Sequence, residues 1–176
     1  MTKRLTFIAL YTAVAVIMHY LESLLPSLFP FAPGVKLGLA NIVGLIAIFT
    51  LGKPSAYIIV TARCLLGALF SGNLFSLAYS LTGALVSLTG QIVALKLLFP
   101  KVTVVGISVI GSLLHNLTQL TVASIVVWTN LTAYLPIMML TGAVTGIAVG
   151  LITRFTVLAL PPSLYIIERK SGENVN

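Results

Sequence analysis

Gly111-Ser112-Leu113-Leu114-His115-Asn116-Leu117-Thr118-Gln119-Leu120-Thr121-Val122-Ala123 is the stretch on which the fold turns. It lies within a run from Val102 to Trp128 that holds no charged residue. At roughly 1.5 Å per residue, a helix over that run is about 40 Å long, enough to cross a bilayer. His115 stands near its midpoint. Residues three and four apart share a helical face, so His115, Asn116 and Gln119 project together. Hydrocarbon offers them no hydrogen-bond partner, and they must therefore face protein, water or a ligand. Two readings stay open at this point: hydrogen bonds that tie helix to helix, and a binding site, which three polar groups on one face favour.

Working outward, the composition fits a chain dissolved in lipid. Of 176 residues, 59% are hydrophobic and 7% charged, against about 25% charged in soluble domains. The expectation is an all-α integral membrane protein: one transmembrane domain over residues 1–162 and a short polar tail over 163–176. The first apolar run is long and leads into further spans, so a cleavable signal peptide is not expected. Cys64 is the one cysteine, which rules out an intrachain disulfide and a thiolate metal cage.

Prolines, glycines and charges divide the chain into six expected spans, at about 5–25, 37–51, 55–70, 74–99, 102–128 and 133–160. Pro26, Pro30 and Pro33 make a loop after the first, since each lacks an amide donor and restricts the residue before it. The second span has only fifteen residues where about 20 are usual, so it must begin inside the membrane, tilt, or thin the bilayer. Six crossings put both termini on one side. Lys3, Arg4, Lys53, Lys96, Lys101, Arg154, Arg169 and Lys170 fall on that side and Lys36 on the other. By the positive-inside rule both termini are cytoplasmic. The net charge of +7 then orients the protein against anionic lipid, and no nucleic-acid partner is expected.

That topology assigns a depth to each unusual residue. His19 and Glu22 lie toward the outer end of the first span, Lys36 and Asn41 at the outer start of the second, and Arg63 about 10 Å below the outer end of the third. Burying a lone arginine costs at least about 2.5 kcal/mol, so Arg63 needs a partner. Glu22 is the one acid within the spans. An ion pair between them is one expectation, and a ligand anion or carbonyl shared by Arg63 and Lys36 is the other. Tyr79 and Tyr134 lie near outer helix ends, where they suit an aromatic belt or, turned inward, a ligand. Gln91 is expected to be a packing or interfacial residue. Gly142, Gly146 and Gly150 form a stripe that permits close helix approach, and Ala9 and Ala13 form an AxxxA pair in the first span.

The strings His19-Tyr20-x-Glu22, Pro33-Gly34-Val35-Lys36-Leu37-Gly38-Leu39-Ala40-Asn41, Gly111-x-x-x-His115-Asn116-x-x-Gln119-Leu120 and Tyr134-Leu135-Pro136 resemble the small bacterial Gx transporter family, also labelled heptaprenyl diphosphate synthase component I. The resemblance covers about residues 5–160. The six spans, the long first outer loop and the AxxxA pair also resemble the substrate-binding S components of energy-coupling factor transporters. That likeness implies an outward-opening pocket, a docking face at Ala9 and Ala13 for a membrane coupling subunit, and a pair of ATPases.

A synthase label invites a test against chemistry. Prenyl elongation holds an allylic diphosphate through magnesium on aspartate-rich motifs, and hard cations need such oxygen ligands. This chain contains no aspartate, and two of its three glutamates, Glu168 and Glu173, lie in the tail. No catalytic residue is expected. His19 and His115 sit on separate spans at different depths, so no metal or haem cofactor is expected either. Two functions remain. One is a substrate-binding subunit for uptake of a small anionic or vitamin-like compound, bound through Lys36, Asn41, Arg63, Tyr79, His115, Asn116 and Gln119, with Glu22 holding Arg63 and His19 near the mouth. The other is a partner in quinone- or flavin-linked electron transfer, or an accessory to polyprenyl diphosphate synthesis.

Overall fold

The computed structural model describes residues 2–24, 38–72 and 74–161. Six α-helices follow one another: α1 (Thr2–Ser23), α2 (Asn41–Thr50), α3 (Lys53–Ser71), α4 (Leu74–Leu98), α5 (Val104–Val127) and α6 (Leu135–Ala159), the last led in by a 3-10 turn at Thr132–Tyr134. Among the described residues there is no strand. The helices stop where the chemistry says they must. Pro54 sits in the first turn of α3, where a missing amide does no harm. The Thr103 hydroxyl caps α5 by accepting from the Gly106 amide at 3.3 Å.

Five of the six, all but α2, are long and apolar enough to cross a membrane. Their outward faces are greasy: Leu5, Leu69, Phe70, Ile125 and Phe155 are each at least 64% exposed. On helices of this length such a surface is lipid-facing, so the chain is a multi-pass membrane protein.

The second helix resolves the three alternatives left by its length. It has 10 residues, about 15 Å at 1.5 Å per residue, or half the hydrocarbon thickness. Its first residue, Asn41, bonds Arg63, which stands near the middle of α3. Just before it, Gly38 lies against His115, halfway along α5. At the other end, Arg4 of α1 donates to the Leu51 carbonyl and to the Ser55 hydroxyl. The helix therefore begins inside the bundle and runs to the end that carries the start of α1. Nine of its ten residues are buried. Leu45 and Ile48 of α2 join Ile59 of α3 and Ile107 of α5, all within 1% of full burial, in the main apolar core.

Helices α5 and α6 are in close antiparallel contact, and the register is explicit. A Cβ on Gly142 would meet Asn116 Nδ2 at 2.9 Å, one on Gly146 the Val109 Cα at 2.7 Å, and one on Gly150 the Val105 Cα at 2.7 Å. Three glycines one turn apart thus let the two backbones touch, which is how membrane helices gain packing without a hydrophobic driving force between them. The Gly146→Leu variant should lose about 1–3 kcal/mol of stability, read as an earlier melting transition in detergent, whereas Ala148→Leu on the exposed face of the same helix should change it by no more than about 0.5 kcal/mol.

Candidate functional site

The half-length helix creates a demand at mid-depth. Where α2 begins, the approaching backbone cannot hydrogen-bond to lipid. Gly38 takes φ +86° there, a left-handed conformation that suits glycine, and its carbonyl accepts from the Asn41 amide at 2.9 Å while the Leu39 carbonyl accepts from Ile42 at 3.1 Å. The Gly38 and Leu39 amides donate to one oxygen of Glu22, the former in a short bond and the latter at 3.4 Å. A carboxylate from α1 thus satisfies the backbone ahead of α2, and it sits near that helix's positive end.

Arg63 and Asn41 form the next pair. The Arg63 guanidinium donates from Nη2 to Asn41 Oδ1 at 2.8 Å, with the two residues 2% and 6% exposed. The Arg63 Nε and Asn41 Nδ2 donors have no partner among the described residues. Glu22 and Arg63, anticipated as partners of each other, are thus each given another: the α2 approach for Glu22, and Asn41 for Arg63. Eight residues, roughly 12 Å, separate Arg63 from the end of α3, within a residue of the expected depth.

His115 is wedged between two glycines. A Cβ on Gly38 would come within 2.9 Å of its Cδ2, and one on Gly83 of α4 within 2.9 Å of its Nδ1. Its Nε2 lies 3.0 Å from Gln119 Nε2, one helical turn away. Asn116 faces the other way, toward α6, and donates from Nδ2 to the Met138 carbonyl at 2.7 Å, leaving Oδ1 without a partner among the described residues. All three side chains of the α5 triad are at most 2% exposed. Both open readings therefore have physical content: Asn116 ties α5 to α6, while His115 borders Gly38 just ahead of α2.

The remaining candidates divide. His19 is buried against α3, where a Cβ on Gly67 would come within 2.6 Å of its ring, and it lies one turn from Glu22 on α1. Tyr79, 2% exposed, belongs to a separate apolar cluster with Leu120, Ala123, Leu131 and Met138 rather than to the polar group. Lys36 lies outside the described residues. Gln91 is buried against Gly111, in keeping with a packing role. Ala9 and Ala13 are exposed on α1. A groove of about 580 Å³ opens where α5 meets α6, lined by Leu117, Thr121, Trp128 and Asn130 among others, and it shares no residue with the polar cluster.

Sequence reasoning overlooked Gly38 and Gly83 as parts of the site. The signal was the match between a bulky polar residue on one helix and a glycine on the next, which only the inter-helix register exposes. Comparison with family profiles matches residues 11–156 to the family described as Heptaprenyl diphosphate synthase component I. Comparison with curated proteins gives no match.

Replacing Glu22 by Leu should leave the Gly38 and Leu39 amides unsatisfied at a cost of about 1–3 kcal/mol, detected as a lower melting temperature together with faster hydrogen exchange at those two amides. Glu22→Gln, which keeps an acceptor oxygen, should recover part of the loss.

Proposed function

The chain belongs to the heptaprenyl diphosphate synthase component I family, and from that premise we propose that it is a membrane-embedded substrate-binding subunit for uptake of a small anionic or vitamin-like compound, and not itself a catalyst. The observation that carries this reading is the convergence of four elements at one depth. Glu22 of α1, the α2 start with Asn41, Arg63 of α3 and His115 of α5 are buried there, and two of their N–H donors are without a partner among the described residues. A guanidinium held at mid-bundle with a donor to spare suits capture of an oxygen-bearing ligand, because an unmet buried donor is costly until something accepts from it.

The proposal places both termini in the cytoplasm of a bacterial cell. Arg4, Lys53, Lys96 and Lys101 gather at the end where α1 begins, α3 begins and α4 ends, and basic residues favour the cytoplasmic side. Uptake then needs an energy source outside this chain. Ala9 and Ala13, small and exposed on α1, suit docking of an energy-coupling membrane subunit with its ATPases.

A second reading is favoured by the family's own description, in which "component I" implies a companion. In it the chain is an accessory to polyprenyl diphosphate synthesis, or a partner in quinone- or flavin-linked electron transfer, and the same cluster hydrogen-bonds a carbonyl of the redox molecule.

Native mass spectrometry of gently extracted protein separates these. The first reading expects a small molecule retained by the wild type, lost at least tenfold in Arg63→Ala at equal membrane insertion. Equal retention in both proteins would remove Arg63 from the site. Ala9→Trp with Ala13→Trp should abolish recovery of a bound coupling subunit while the small molecule stays. A retained quinone, with uptake indifferent to deletion, would favour the second reading.

A further inference from the structure

The groove between α5 and α6 stands apart from the polar cluster and has the form of a site in its own right. We propose that it holds one acyl chain of a bilayer phospholipid, taken up without regard to the charge of the head group.

Its place in the bundle gives the first ground. The groove lies where α5 ends and α6 begins, and it is continuous with the lipid-facing surface: Leu117 and Ile125, two of its lining residues, are 44% and 64% exposed. Its volume of about 580 Å³ falls in the range of ligand sites, about 300–1,000 Å³. A space of that size bordering hydrocarbon does not stay empty, because atoms that line a void forfeit their contacts. The molecule at hand to fill it is the lipid itself.

Length and polarity give the second. From Leu117 to Trp128 the α5 wall advances eleven residue steps, about 16 Å at 1.5 Å per residue. One leaflet of a hydrocarbon core about 30 Å thick is about 15 Å deep, so a chain anchored at the rim reaches the floor. The floor is apolar, with Leu117 and Leu120, and the Thr121 hydroxyl beside them donates to the Leu117 carbonyl at 2.9 Å and asks nothing of a ligand. The rim is polar. Trp128, 93% exposed, carries an indole of the kind that sits at the membrane–water interface. Asn130 Oδ1 accepts from the Thr132 amide at 2.9 Å and from the Thr132 hydroxyl, which settles the amide orientation and leaves Nδ2 to donate outward. The groove thus changes from apolar to hydrogen-bonding in the direction in which a leaflet does, and the ester carbonyls of a phospholipid lie at the depth of these donors. No lining residue among those described is charged, so nothing in the groove distinguishes an anionic from a zwitterionic head group.

The test uses the full-length protein, stripped of lipid in detergent, given equimolar palmitoyl-oleoyl phosphatidylcholine and phosphatidylglycerol, and read by native mass spectrometry. One phospholipid per chain should survive the collisional activation that removes all others, with the two lipids retained within about threefold of each other, since a charge preference needs cations. Leu117→Trp with Thr121→Trp fills the floor from two exposed positions and should lower that occupancy roughly tenfold by taking the contacts of the chain. Leu140→Trp, exposed on α6 outside the groove, should leave it unchanged, and so should Arg63→Ala, which keeps this outcome separate from that of the polar cluster. Occupancy that survives the double substitution, falls equally in Leu140→Trp, or is absent from the wild type overturns the proposal. A preference beyond threefold for either lipid, or a molecule other than phospholipid displaced by the double substitution, overturns it as well.

Discussion

A helix that begins halfway through a membrane has to find acceptors for the backbone that leads into it, and here Glu22 provides them. Its oxygen receives the Gly38 and Leu39 amides, and the rest of the middle layer follows. With that approach held, Asn41 stands at the first turn of α2 facing α3, where Arg63 meets it. Gly38, turned through a positive φ, leaves room for the His115 ring. A side chain at position 38 would be strained by the backbone and would also crowd the imidazole. One carboxylate on α1 thus underlies a contact network that reaches α2, α3 and α5.

A second regularity ties packing to polarity. Buried polar side chains stand opposite glycines of a neighbouring element: His19 opposite Gly67, Gln91 against Gly111, His115 against Gly38 and Gly83, Asn116 against Gly142, Ser112 against Gly146, Ser108 against Gly150. The physics is that of membrane helices in general. Without water there is little gain in burying leucine against leucine, so contact energy comes from close backbone approach and from polar groups that have somewhere to go. Glycine supplies the space, and the polar group fills it.

The pattern explains what the sequence disclosed and what it withheld. The long apolar runs of α1 and α3–α6 gave away their character, since a charge-free stretch of that length has few alternatives, and proline and glycine placed the turns within a few residues of where they fall. The shared face of His115 and Gln119, one turn apart, was legible because helical spacing is a local property, whereas Asn116, expected to project with them, turns toward α6. Which way each one turns was not legible. Asn116 bonds the Met138 carbonyl on α6 while His115 lies against α4 and the α2 approach, a division set by register between helices. The pairing of Arg63 was misjudged for the same reason. Opposite charge suggested Glu22, but where α2 begins puts Asn41 beside the guanidinium and gives the carboxylate a backbone to hold. Tyr79 shows the converse: polar in name, it is 2% exposed within an apolar cluster.

The family's description names a synthase component, and the side chains that the helices bring together bear on what such a component holds. Ionising an allylic diphosphate needs several carboxylates around a metal, and no group of three or more potential metal ligands occurs among the described residues. What the helices do assemble is one guanidinium, one carboxylate already engaged, and amide and imidazole groups enclosed by glycines. Enclosed N–H donors of this kind are costly until something accepts from them, and the binding role proposed above rests on them.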